Sequence, residues 1–99
     1  MSTGLADARR LQRGLVLHAL QAQYPHPLTQ VSLERQVQHL VQAGGELDQV
    51  TSYLVEKGLV EARSEKIGRI SVTTYRLTAD GVDVADGSVA LPGVDMGIG

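Results

Sequence analysis

Apolar residues change their spacing once along this chain, at Gly58. Before it they recur every three to four positions, the helical period; after it they alternate, the strand period. A chain with that single switch builds helices first and a β-hairpin second, which places it in the α+β class. With 99 residues there is room for one domain. Leu5 to Gln23 reads as the first helix, with Ala8, Leu11, Leu15, Val16, Ala19 and Ala22 in one arc and Arg9, Arg10 and Arg13 opposite. On that reading Leu17 lies off the apolar arc, near Arg10, as an exposed leucine suited to an interface. Pro25 and Pro27 stop the helix, since neither supplies an N–H and each restricts the residue before it. Leu28 to Val31 leaves space only for a short strand.

Ser32 is then placed to cap a second helix of about eleven residues, carried by Leu33, Val37, Leu40 and Val41 at i, i+4, i+7 and i+8. Gly44-Gly45 is expected to end it. A third helix runs to Lys57 with Leu47, Val50, Leu54 and, at the margin, Thr51 facing inward; Gly58 follows as its C′ glycine. Leu59 to Arg63 and Ile70 to Leu77 are β-rich, and the polar stretch Ser64 to Arg69 between them reads as the hairpin loop. Thr78 caps a short last helix, Ala79 to about Asp86, which Gly81 weakens.

Charge is unevenly distributed. The chain sums to −2, yet residues 1–79 hold all nine Lys and Arg and are net positive. Asp80, Asp83, Asp86 and Asp95 have no basic neighbour after residue 79. From Ser88 the sequence is Gly-rich and acidic without a packing period, so residues 1–87 are expected to form the domain and 88–99 a flexible tail.

Several function classes are disfavoured by residue content. There is no Cys, which removes disulfides, thiolate metal sites and a Cys nucleophile. The aromatics are three Tyr, too few for a row of base-stacking rings. His18, His26 and His39 lack metal-ligand spacing, and Asp80, Asp83 and Asp86 lack the spacing and closing Glu of a calcium loop. No nucleophile elbow, phosphate-binding loop or dinucleotide fingerprint is present. No apolar run approaches the ~18–20 residues of a membrane span. The expectation is a cytoplasmic, non-enzymatic domain with no cofactor, metal or membrane partner.

Leu54-Val55-Glu56-Lys57-Gly58-Leu59-Val60, followed by a basic hairpin and Tyr75-Arg76-Leu77-Thr78-Ala79-Asp80-Gly81, resembles winged helix-turn-helix proteins, above all the MarR, PadR and ArsR-type regulators of bacteria. There a helix ends in L-x-x-x-G-L-V and the second wing strand in Y-x-L-T-x-x-G. The resemblance covers residues 5–86 in element order and about thirty residues in motif detail. It implies a winged helix-turn-helix: a three-helix core, a short β-hairpin wing and a short C-terminal helix. It also implies double-stranded DNA binding by a small transcriptional regulator of bacterial or phage type. Carried over by position, Asp48, Gln49, Thr51 and Ser52 would face DNA from the third helix. Arg63, Lys66, Arg69 and Arg76 would do so from the wing, with Gln49 reading adenine and the cations neutralising phosphate.

The third helix departs from that pattern. It carries Glu46, Asp48 and Glu56 against a single Lys57, where DNA-reading helices expose several cations. The alternative expectation is a winged-helix protein–protein module in a larger assembly, a phage assembly included, that does not touch DNA directly. Arg9, Arg10 and Arg13 are expected to form a solvated basic patch, and a homodimer or other protein partner is compatible with either reading.

Overall fold

The computed structural model describes residues 4–38 and 44–96. His39, Leu40 and Val41 fall outside them, as does the C-terminal half expected of the second helix. The elements are α1 (Gly4–Gln21), β1 (Leu28–Thr29), α2 (Gln30–Val37), α3 (Gly44–Glu56), β2 (Val60–Ile67), β3 (Ile70–Leu77) and α4 (Ala79–Ala85). The fold is α+β, and the order of elements is the one expected from sequence.

All three strands form one antiparallel sheet in the order β1-β3-β2. β1 pairs only Leu28 with Tyr75 and Thr29 with Thr74, whereas β2 and β3 pair along their whole length, from Val60–Leu77 to Ile67–Ile70. α1 is the central helix and packs against α2, α3, α4 and β3. The core it organises is Val16, Leu17, Leu20, Leu33, Leu54 and Leu77, each almost wholly buried. Leu59 and Val60 extend that core under the end of α3.

Two caps differ from expectation. α2 begins three residues earlier than read, because Thr29, not Ser32, is its N-cap: Thr29 Oγ1 accepts from the Ser32 N–H at 3.1 Å. Both residues suit a cap, and the extended backbone of Thr29, set by its pairing with Thr74, decides between them. Gly44 and Gly45 lie in the first turn of α3 instead of closing α2.

The hairpin also differs. The stretch expected as a loop is strand: Ser64 to Ile67 continue β2 in register with Ile70 to Thr73, and only Gly68-Arg69 form the turn. Gly68 has φ 65°, at the first central position of a two-residue hairpin loop, where the turns matching strand twist need positive φ. Ser64 to Lys66 carry no apolar alternation, and their pairing with Ser71 to Thr73 is what extends the strand.

α1 buries a different face from the one periodicity suggests. Val16, Leu17 and Leu20 are inside, while Ala8, Leu11 and Ala22 are exposed, Leu11 at 44 %. Leu17, expected as an exposed interface residue, is fully buried. Part of the helix is covered by the segment after α4. Within the stretch expected as a flexible tail, residues 91–96 lie against α1 on its arginine side. The Asp95 N–H donates to the Arg10 carbonyl at 3.0 Å, and Arg13 Nη1 donates to the Gly93 carbonyl at 2.9 Å. Leu91, Val94 and Met96 pack on the core, and the Asp95 carbonyl lies against Gly14 where no side chain would fit. With α1 covered on two sides, its buried band is wider than one amphipathic arc.

Candidate nucleic-acid interface

α3 is terminated by its own backbone chemistry. Gly58, at φ 76°, lets its N–H reach the Val55 carbonyl at 3.0 Å and lets the Leu59 N–H reach the Leu54 carbonyl at 3.0 Å. These are the paired bonds of a Schellman cap, and a hydrophobic contact of the Leu54–Leu59 type normally accompanies them. Lys57 is the capping residue just past the last helical turn.

This termination fixes which side of α3 is left outside. Leu47, Val50 and Leu54 point inward, as expected. Thr51 is also inside, 4 % exposed, with its hydroxyl donating to the carbonyls of Leu47 at 3.1 Å and Asp48 at 3.2 Å. It is therefore removed from the interface the sequence suggested: a buried hydroxyl bonded to its own helix is not presented to a partner. Asp48, Gln49, Ser52 and Glu56 are exposed together along one shallow depression of about 390 Å³, which Arg13 and Tyr53 also line.

Arg13 and Tyr53 are the members of this surface that sequence reasoning missed. The Arg13 guanidinium carbon sits 3.6 Å from the centroid of the Tyr53 ring, and the Lys57 ammonium lies 5.6 Å from the same centroid. Both are cation–π distances. Two cations thus flank the one aromatic ring of the α3 surface, and Arg13 is imported from α1. Forty positions separate Arg13 from Tyr53 in the chain. Periodicity places arginines on a face of α1; only the packing of α1 on α3 says what that face meets.

The cations of the β2–β3 hairpin divide into two groups. At the base, Glu61 Oε1 receives both Arg63 Nε at 3.2 Å and Arg76 Nη2 at 3.4 Å. Strand geometry makes this possible: Glu61 and Arg76 are direct cross-strand partners, and Arg63 is two residues along on the same face. Such exposed pairs stabilise by only about 0–1 kcal/mol, but they occupy two of the four guanidinium or ammonium groups the sequence put forward. Near the turn, Lys66 and Arg69 have no ion pair among the described residues. Lys66 is opposite Ser71, on the face away from Glu61 and Glu65.

The patch expected on α1 is likewise divided. Arg9 is exposed, whereas Arg10 and Arg13 are half-buried, and all three border a recess of about 340 Å³ with Pro92 and Gly93. Among the described residues no group of three His, Asp or Glu side chains is placed to hold a metal ion. No helix of the described residues is long and apolar enough to cross a membrane. In comparisons with known proteins, no family model, no curated protein and no solved structure matches this chain.

Proposed function

We propose that this protein is a winged-helix domain that binds duplex DNA and acts as a small transcriptional regulator. The observation that carries this reading is the wing: a hairpin of two eight-residue strands of which only the base touches the core. The distal half of that hairpin contributes no side chain to the buried core, yet Lys66 and Arg69 stand there without acidic partners among the described residues. Phosphate neutralisation by unpaired cations is the main source of affinity in non-specific DNA binding. The α3 surface adds Gln49 and Ser52, whose amide and hydroxyl suit base edges or phosphate oxygens.

A second reading has its own observation. Asp48 and Glu56 are exposed on α3, and Lys57, the one cation in sequence at its C-terminal end, lies 5.6 Å from the Tyr53 ring centroid. An acidic face of that kind repels phosphate and favours a basic protein partner, which would make this a protein–protein module. The two readings separate in a fluorescence-anisotropy titration of a labelled random duplex at about 50 and about 200 mM salt. Binding that weakens steeply with salt supports DNA. Absence of binding at the lower salt rejects it and leaves α3 as a protein-contact surface.

A further inference from the structure

Ile67 and Ile70 are the most exposed large apolar side chains among the described residues, at 65 % and 67 %. They face each other directly across β2 and β3, immediately either side of the Gly68-Arg69 turn. Neither side chain contributes to the core. β-propensity alone does not account for them, because Thr serves as well on an exposed hairpin and is used at positions 73 and 74 of β3. The end of the wing is therefore an apolar pair with Arg69 in the turn that joins it, Lys66 on the opposite face of the hairpin and Glu65 one step back on the same face.

Resting on the DNA-binding reading, we propose that the wing tip is a wedge. Ile67 and Ile70 insert at a base step in the minor groove and bend the duplex, while Lys66 and Arg69 hold the flanking phosphates. The dimensions make deformation part of the binding. Two strands are ~4.8 Å apart between backbones, and with side chains they exceed a minor groove only ~6 Å wide. The tip enters only if the groove opens, and apolar side chains that partly unstack a base step open it by kinking the helix away. Flexible pyrimidine–purine steps such as TA and CA yield most readily, so the wedge selects sequence without reading a base edge. The two cations favour a polyanion over an apolar protein surface. Two isoleucines also supply only a small part of the ~800 Å² per partner that a stable protein interface buries.

The test uses the full chain and a duplex of about 30 bp, long enough for a bend to bring its labelled ends closer. Anisotropy reports binding and energy transfer between the ends reports bending. The expected result is a bend within the ~20–90° range of wedge-inserting proteins, larger on a central TA step than on a stiff A-tract. Ile67→Thr with Ile70→Thr keeps β-branching and charge. It should retain the wild-type salt slope and melting curve, weaken binding severalfold and abolish the bend. Binding by the wild type with straight DNA, or a bend that survives in the double variant, overturns the wedge and leaves DNA binding intact. A sedimentation coefficient for the free protein that falls on the double substitution reassigns the tip to self-association. No binding at about 50 mM salt rejects both the wedge and the DNA reading on which it rests. The comparison of TA with A-tract duplexes needs no variant, so the proposal stays falsifiable if the substitutions disturb the hairpin.

Discussion

The Thr78 hydroxyl donates to the carbonyl oxygen of Gly58 at 2.6 Å. Thr78 Oγ1 in turn accepts from the Gly81 N–H at 3.0 Å as the N-cap of α4, and the Thr78 N–H donates to the Leu59 carbonyl at 3.0 Å. The exit of α3 and the entry of α4 are thereby tied together across the base of the hairpin. Thr78→Val keeps the shape and removes both hydroxyl bonds. We expect a loss of about 1 kcal/mol in urea unfolding, the usual worth of an N-cap, and near-neutrality for Thr78→Ser. Equal behaviour of Val and Ser would show that the hydroxyl contributes nothing.

Gly81 is required by close approach and not by helix preference. A methyl group there would run into the Leu59 carbonyl, and its nearest side-chain neighbour is Leu77. Replacing a helical glycine by alanine ordinarily stabilises, by up to about 1 kcal/mol. Gly81→Ala should instead destabilise by about 1–3 kcal/mol, as overpacking does, because α4 must move away from the Leu59 carbonyl. A higher urea midpoint for the variant would refute the contact.

Gly14 makes a similar contact with a different consequence. Its neighbour is the Asp95 carbonyl, in the segment that covers α1. Gly14→Ala is expected to displace residues 93–96 while the core stays folded, since local opening of a peripheral segment need not unfold a domain. Amide exchange of Asp95, whose N–H is bonded to Arg10, should accelerate toward that of an open chain, with core amides unchanged. Unaltered protection at Asp95 would mean the segment is held by its other contacts.

The division of the hairpin cations predicts unequal effects on the proposed DNA binding. Exchanging Lys66 and Arg69 for Glu should weaken affinity and reduce the salt slope by about two, roughly one for each lost phosphate contact. Arg76→Gln should change the slope less, because Arg76 is already engaged by Glu61. Gln49→Ala should alter preference among sequences more than overall affinity. Equal effects at Arg76 and Arg69 in the titration would mean the Glu61 pairing is irrelevant to the interface.

Much of the local structure was legible from residue order. Thr78 and Gly58 were readable as caps because capping depends on one side chain and the few backbone groups next to it. Leu47, Val50 and Leu54 were readable as core because three residues at helical spacing leave little choice of face. The wing was legible as a hairpin but not in its extent: the polar residues Ser64 to Lys66 carry no apolar signal, and only their partners Ser71 to Thr73 reveal that they are strand. Of the candidate site, Gln49, Ser52, Lys66 and Arg69 were found at exposed positions, and Thr51 was not.

What the amino-acid order determined by itself was the succession of elements, their stop signals and the inward residues of α3, all of which depend on neighbours within about one helical turn or one hairpin. Tertiary structure decided the rest. It chose Leu17 and Leu20 for the interior and left Leu11 outside, and it returned residues 93–96 to Arg10, Arg13 and Gly14, since an acidic, glycine-rich segment gives no periodic warning of where it will dock. It put Arg13 on the ring of Tyr53 and turned Arg63 and Arg76 toward one carboxylate. Contacts of that kind join residues far apart in the chain. Their energies exist only once the elements have packed, so no local pattern records them.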